Sequence, residues 1–177
     1  KKDTISLMPN ILEQIIRDKK DVLDSVKKNN SLASLEKKIK SLNFFYNFKK
    51  VIQNNKEISL ITEIKKASPS AGILVENFNH LDIAKMFIDY GATCLSVLTE
   101  EKHFLGKLDY ITDIKNKFKI PVLAKDFFID PYQVALSKSF GCDCILLIIS
   151  ALDGNQANEI YDEAIKHNLS VIVEVHN

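Results

Sequence analysis

From residue 58 onward, short apolar runs alternate with longer amphipathic ones. The runs at 58–65, 93–98, 121–125, 143–149 and 170–175 are rich in Ile, Val and Leu and too short for ordinary helices, which predicts strands. Segments 79–90, 107–118, 130–140 and 154–167 carry apolar residues at helical spacing and predict helices. The punctuation agrees. Asp130-Pro131 reads as an N-cap followed by proline at the first helical position. Asn79 with Asp82 resembles a capping box with a shorter acid. Gly91, Gly141 and Asn168 fall where a left-handed C-cap residue belongs. Before residue 58 the period is helical. Residues 9–28 place Ile11, Leu12, Ile15, Ile16, Val22, Leu23 and Val26 on one face. Residues 31–53 do the same with Leu32, Leu35, Ile39, Leu42, Phe45, Phe48 and Val51, and Ser31 caps the start. The chain is therefore expected to open with two amphipathic helices and no strand. Neither keeps a heptad for long, so both are expected to pack on the α/β part of the chain rather than form a coiled coil.

Strand ends fall near 65, 98, 125, 149 and 174, steps of roughly 24–33 residues, the size of a βα unit in a repeated parallel fold. Tyr90-Gly91-Ala92-Thr93-Cys94 and Phe140-Gly141-Cys142-Asp143-Cys144 occupy the same helix-to-strand junction. A complete (β/α)8 barrel needs about 250 residues. Five units in 177 residues thus predict an α/β fold of the TIM-barrel kind, incomplete, with a five-stranded doubly wound sheet as the other arrangement. The expected organisation is one domain, in which residues 1–55 form a helical extension packed on the barrel and residues 56–177 supply its first five strands.

Composition narrows the partners. Hydrophobic residues are 46% and charged residues 27%, a soluble globular balance. The net charge of +1 argues for neither nucleic acid nor an anionic membrane. Arg17 is the only arginine, so an anionic ligand would be met by ammonium groups or backbone N–H groups. No apolar run is long enough to span a bilayer and no signal peptide is recognised. Cys94, Cys142 and Cys144 lack the second pair a structural metal site needs and read as small apolar filler. Cys142 and Cys144, two apart on a strand, are expected to face the same way. His80, His103, His167 and His176 show no metal spacing and read as solvated or packing residues. A reducing, cytoplasmic setting is expected, with no metal.

Three of the apolar strands end on ionisable side chains: Glu63 and Lys65, then Lys125, then Glu174. Unpaired charges are costly in a core, but they fit parallel strands that open onto a site beyond their carboxyl ends. Glu63 and Lys65 share a face. A lysine beside another cation or in an apolar rim can act as acid, base or Schiff-base nucleophile, and a carboxylate opposite it takes the complementary role. The loop Lys66-Ala67-Ser68-Pro69-Ser70-Ala71-Gly72 suits a phosphate or a closing lid, although no P-loop or G-x-G-x-x-G occurs. Phe104 and Phe127 lie just beyond strand ends, where they could stack on a planar substrate.

These residues carry a resemblance. Glu63-Ile64-Lys65-Lys66-Ala67-Ser68-Pro69-Ser70 resembles the first-strand signature of indole-3-glycerol phosphate synthase. Ser96-Val97-Leu98-Thr99-Glu100-Glu101-Lys102-His103-Phe104-Leu105-Gly106 is similar to its second βα loop. Pro121-Val122-Leu123-Ala124-Lys125-Asp126-Phe127, with Ile129-Asp130-Pro131-Tyr132-Gln133, resembles its third strand and loop. Ile145-Leu146-Leu147-Ile148 and Val173-Glu174-Val175-His176-Asn177 resemble the fourth and fifth strands, and the paired N-terminal helices resemble that family's extension.

The resemblance implies a (β/α)8 barrel lyase of tryptophan biosynthesis. It would close 1-(2-carboxyphenylamino)-1-deoxyribulose 5-phosphate to an indole, with decarboxylation and dehydration and without cofactor or metal. By the same resemblance Lys125 is the general acid, Lys65 pairs with the substrate carboxylate, Glu174 is the acid/base of dehydration and Glu63 orients the site. Ser68 and Pro69 sit in the mobile first loop, and Phe104, Phe127 and Leu146 wall the aromatic ring. The family continues for three further βα units that carry its main phosphate loops, so the 177 residues alone are expected to be inactive and to associate through open barrel edges. Two other readings stand beside this one. A Schiff-base aldolase on a related barrel would use Lys125 or Lys65 as nucleophile. A non-catalytic half-barrel would serve as an assembly partner.

Overall fold

A computed structural model of the chain describes residues 10–175. Three helices come first: α1 (Ile11–Asn29), α2 (Leu32–Ser41) and α3 (Phe48–Asn54). Next come β1 (Ile61–Ile64), a two-rung hairpin of β2 (Ala67–Ser68) and β3 (Gly72–Ile73), α4 (His80–Asp89) and β4 (Cys94–Leu98). The chain continues through α5 (Asp109–Lys117), β5 (Val122–Lys125), α6 (Tyr132–Ser139), β6 (Cys144–Ile148), α7 (Gly154–Lys166) and β7 (Ser170–Glu174). Each predicted strand and helix after residue 58 is found, most of them slightly shorter at the ends.

β1, β4, β5, β6 and β7 form one parallel sheet in chain order. Every new strand is added on the same side, and no switch point reverses the order. This excludes the doubly wound arrangement, whose order reverses at such a point, and leaves a curved wall of barrel type. One face of the sheet packs on the helices. Ile64, Leu95, Val97, Val122, Ala124, Ile145 and Leu147 join Ala84, Ile111, Ile114, Val134 and Ile160 in the main core. The opposite, inner face carries Cys94, Leu123, Cys144, Leu146 and Ile148, closed from below by Phe48 of α3.

The expected helix over 31–53 is not continuous. It ends at Ser41 and restarts at Phe48, so the chain opens with three helices rather than two. The extended stretch between them is held by tertiary partners that outweigh its helical period. The backbone N–H of Tyr46 donates to the buried carboxylate of Asp143 at 2.7 Å. Lys115 stands over the Tyr46 ring at 4.2 Å and Lys138 over the Phe45 ring at 3.3 Å, favourable cation–π placements. Lys115 also pairs with Asp143 at 2.6 Å, and both side chains are almost fully buried. Burial pushes the Lys115 ammonium down and the Asp143 carboxyl up, against the attraction between them.

The cysteines also differ from expectation. Cys142 belongs to the core under the helices and Cys144 to the inner face, because Cys142 lies before the bend at Asp143 and outside β6. All three thiols are free and buried, and burial pushes Cys94 and Cys142 up to about 12. Their place in the two apolar clusters is that of small apolar filler. The Ser31 and Asn79 side chains accept from backbone N–H groups of α2 and α4 as read, but Asp82 does not complete a capping box with Asn79, and the N-cap of α6 is Pro131 rather than Asp130. Gly91, Gly141 and Asn168 take positive φ after their helices.

Candidate active site at the carboxyl ends of the strands

Register decides which side chains meet. Glu63 is the partner of Ser96, Leu98 of Lys125, and Ile148 of Glu174. Side chains alternate along a strand, so Glu63, Ser96, Leu98, Lys125, Leu146, Ile172 and Glu174 all lie on the inner face. Lys65, just past the end of β1, comes after Glu63 on that face. Its Nζ lies 2.6 Å from Glu63 Oε1. Lys125 Nζ reaches across β4 to within 4.0 Å of Glu63 Oε2. One carboxylate is thus shared by two ammonium groups at the mouth of the sheet, and all three side chains are about one-third exposed. An arrangement of this kind holds two proton donors a few ångströms apart with a base between them.

Glu174 is half-buried two strands from Lys125, one rung beyond the Leu146–Ile172 pair. Phe104 and Phe127 approach with ring centroids 6.1 Å apart, and Phe127 packs with Leu146 in the inner apolar cluster. Ser68 lies in the β2–β3 hairpin, its Oγ accepting from Ala71 N, with Pro69 exposed at the tip. The loop expected to suit a phosphate or a lid is thus a short hairpin.

The loops that carry the two phenylalanines are fixed from behind, by residues that no strand-end pattern singles out. The Glu100 carboxylate, almost fully buried, accepts from the backbone N–H groups of Lys102, His103 and Phe104. Gly106 passes so close to the end of β4 that a Cβ there would lie 2.2 Å from Leu98 O, so only glycine fits. α1 holds both loops. Lys19 pairs with Asp126 at 2.6 Å, and Asp126 also accepts from Thr99 Oγ1 at 2.8 Å. Asp18 lies 2.6 Å from Lys102 Nζ and 2.8 Å from His103 Nε2. The hydrogen bonds from Lys102 and His103 hold the Asp18 carboxyl down to about 2. A cavity of about 270 Å³ lies along this seam, lined by Asp18, Lys19, Thr99, Asp126 and Gln133. Neither Lys65 nor Lys125 lines it.

Of the remaining histidines, His80 and His167 serve packing and pairing. His80 stacks on Tyr110 and meets Asp113, and His176 lies outside the described residues. His167 ties α7 to α2 through Glu163 and Glu36. These three bring possible ligand atoms within 4.8 Å of one another, but Lys166 already occupies both Glu163 oxygens, so the cluster reads as an ion-paired tie. No helix among the described residues is long and apolar enough to cross a membrane.

A sheet wound in chain order, with lysines and carboxylates at the carboxyl ends of its strands, defines a protein of the parallel (β/α)-barrel class. A solved structure of 3-hexulose-6-phosphate synthase shares this fold, with a TM-score of 0.52 and 20% identity over 67% of this chain and 53% of that one. The family model for indole-3-glycerol phosphate synthase matches residues 12–177, and the chain belongs to that family. It is 41% identical over 173 residues to the indole-3-glycerol phosphate synthase of Azospirillum brasilense, covering 96% of this chain and 66% of the relative. The enzyme of the same name from Aliarcobacter butzleri is 42% identical over 170 residues, 94% of this chain and 65% of the relative. The tryptophan biosynthesis protein TrpCF of Buchnera aphidicola is 40% identical over 169 residues, 94% of this chain and 36% of the relative. The chain thus spans at most 66% of the length of these relatives.

Proposed function

We propose that this chain carries the acid, base and ring-binding part of an indole-3-glycerol phosphate synthase, acting on 1-(2-carboxyphenylamino)-1-deoxyribulose 5-phosphate in tryptophan biosynthesis. The observation that carries the reading is the Lys65–Glu63–Lys125 cluster at the open mouth of the sheet, in a chain of this family. The ring carbon that bears the carboxylate attacks the ribulose carbonyl. A carbon–carbon bond forms, the carbonyl π pair moves to oxygen, and Lys125 Nζ gives that oxygen a proton. Lys65 holds the carboxylate until it leaves as carbon dioxide, and the released pair restores the aromatic ring. The new hydroxyl then departs as water, taking a proton from an acid while a base removes one from the adjacent carbon. Glu174, on the same inner face, serves this step. Glu63 orients the two lysines, while Phe104, Phe127 and Leu146 wall the ring. Ser68 and Pro69 stand in the hairpin beside the mouth and contact the substrate.

The test is formation of indole-3-glycerol phosphate from this substrate by the complete gene product, monitored by fluorescence. Product is expected, with no borohydride-stable adduct on Lys65 or Lys125. Absence of product, or such an adduct, would overturn the reading.

A further inference from the structure

Among the described strands of the parallel sheet, the reaction scheme leaves two inner-face polar residues idle: Ser170, whose Oγ accepts from the backbone N–H of Lys49, and Ser96. Ser96 is 5% exposed and lies between Glu63 on β1 and Leu123 on β5, one rung below the lysines. Its Oγ has no hydrogen-bond partner among the described residues. Thr62 shares that condition but faces the helices, away from the site. A buried hydroxyl without a partner is costly to the fold. Such a group calls for a specific reason, a catalytic role among them. Replacing Ser96 by alanine would remove this cost, so the hydroxyl does not serve the fold as it stands.

Its neighbour supplies the reason. Glu63 gives Oε1 to Lys65 at 2.6 Å, while its other oxygen stays 4.0 Å from Lys125, beyond hydrogen-bond distance. On the proposed function, Lys65 turns to the substrate carboxylate, and Glu63 then loses its only close donor in this cluster. A carboxylate left unpaired in a half-buried site would swing toward Lys125 and take the ammonium needed at the carbonyl oxygen. We infer that Ser96 is a positioning residue: when Lys65 leaves Glu63, the Ser96 hydroxyl donates to the Glu63 carboxylate. Glu63 is thereby kept on its own rung and Lys125 stays free to act. Serine suits this task because its hydroxyl rotates about one bond and adds no charge that would compete with the lysines.

Two measurements test this, and only one depends on the reaction. The first is a crystal structure of the Lys65→Ala variant, which withdraws Lys65 without a ligand. Ser96 Oγ is expected within about 2.8 Å of a Glu63 oxygen; an Oγ still unpartnered there overturns the inference. The second is steady-state kinetics of Ser96→Ala in the complete gene product. Thermal stability should stay level or rise. Turnover should fall about ten- to a hundredfold, the worth of a hydrogen bond to a charged group, with the Michaelis constant little changed. A stable Ser96→Ala variant with undiminished turnover also overturns it. If the wild-type protein makes no indole-3-glycerol phosphate but the crystal structure shows the Ser96–Glu63 bond, the functional reading fails and the positioning role stands.

Discussion

Glu63 sits between two lysines to which the proposed reaction gives different tasks, so substitutions at Lys65 and Glu174 should separate binding from chemistry. Lys65→Ala removes the group assigned to the substrate carboxylate. It should raise the Michaelis constant for the proposed substrate by about tenfold or more, and should matter less for an analogue that lacks the carboxylate. Equal losses with both compounds would count against that pairing. Glu174→Gln keeps the shape and removes the base, so turnover should fall by about 10²–10⁴-fold with unchanged thermal stability. Steady-state kinetics with circular dichroism checks both. These residues were legible in the sequence because an ionisable side chain that ends an apolar strand is conspicuous. Ser96 was not. A serine within a strand is unremarkable until the register places it beside Glu63 and shows that its hydroxyl has no partner.

At the scale of elements, α1 acts through pairs that join residues 84 and 85 positions apart, Asp18 to Lys102 and His103. No pattern along the chain announces such contacts, which is why α1 could be read as an amphipathic helix but not as the support of the loops that carry Phe104 and Phe127. The pairs have a pH signature. The Asp18 carboxyl lies at about 2, below its ordinary 3.8, so the folded state favours the charged form. Its contribution to stability is fully present above the ordinary value and is lost as pH falls through about 2. Asp18→Asn should therefore lower the denaturation midpoint at pH 5 and 6, and the gap from wild type should close as pH approaches 2. A gap of constant size would contradict the pairing. The break in the predicted 31–53 helix has the same origin. Its apolar period is helical, yet Asp143 and two lysines hold Tyr46 and Phe45 outside any helix. Asp143→Ala would strand Lys115 in the core and leave the N–H groups of Tyr46 and Val122 without their acceptor. A loss of about 3–5 kcal/mol is expected, measured by urea unfolding; a loss under about 1 kcal/mol would mean that this segment is held by other means.

For the molecule as a whole, βα alternation and strand-end spacing were enough to read the parallel sheet, because each unit repeats the same local grammar. The direction of winding was left open by the sequence, and the strand order β1-β4-β5-β6-β7 settles it. Within the described residues, β1 and β7 are edges of this sheet, and Ile61 and Val173 on them are 38% and 50% exposed. Open apolar edges invite pairing with another chain, so the isolated 177 residues should self-associate in sedimentation experiments at micromolar concentration, and a strictly monomeric chain would contradict this. Central to the proposed chemistry is Lys125 as the proton donor at the mouth of the sheet. The decisive experiment is single-turnover formation of indole-3-glycerol phosphate by the complete gene product, wild type against Lys125→Ala. Product is expected from the wild type, with a rate about 10²–10⁴-fold lower for the variant and little change in substrate affinity. A Lys125→Ala protein that turns over at the wild-type rate would contradict the assignment of Lys125 as the acid.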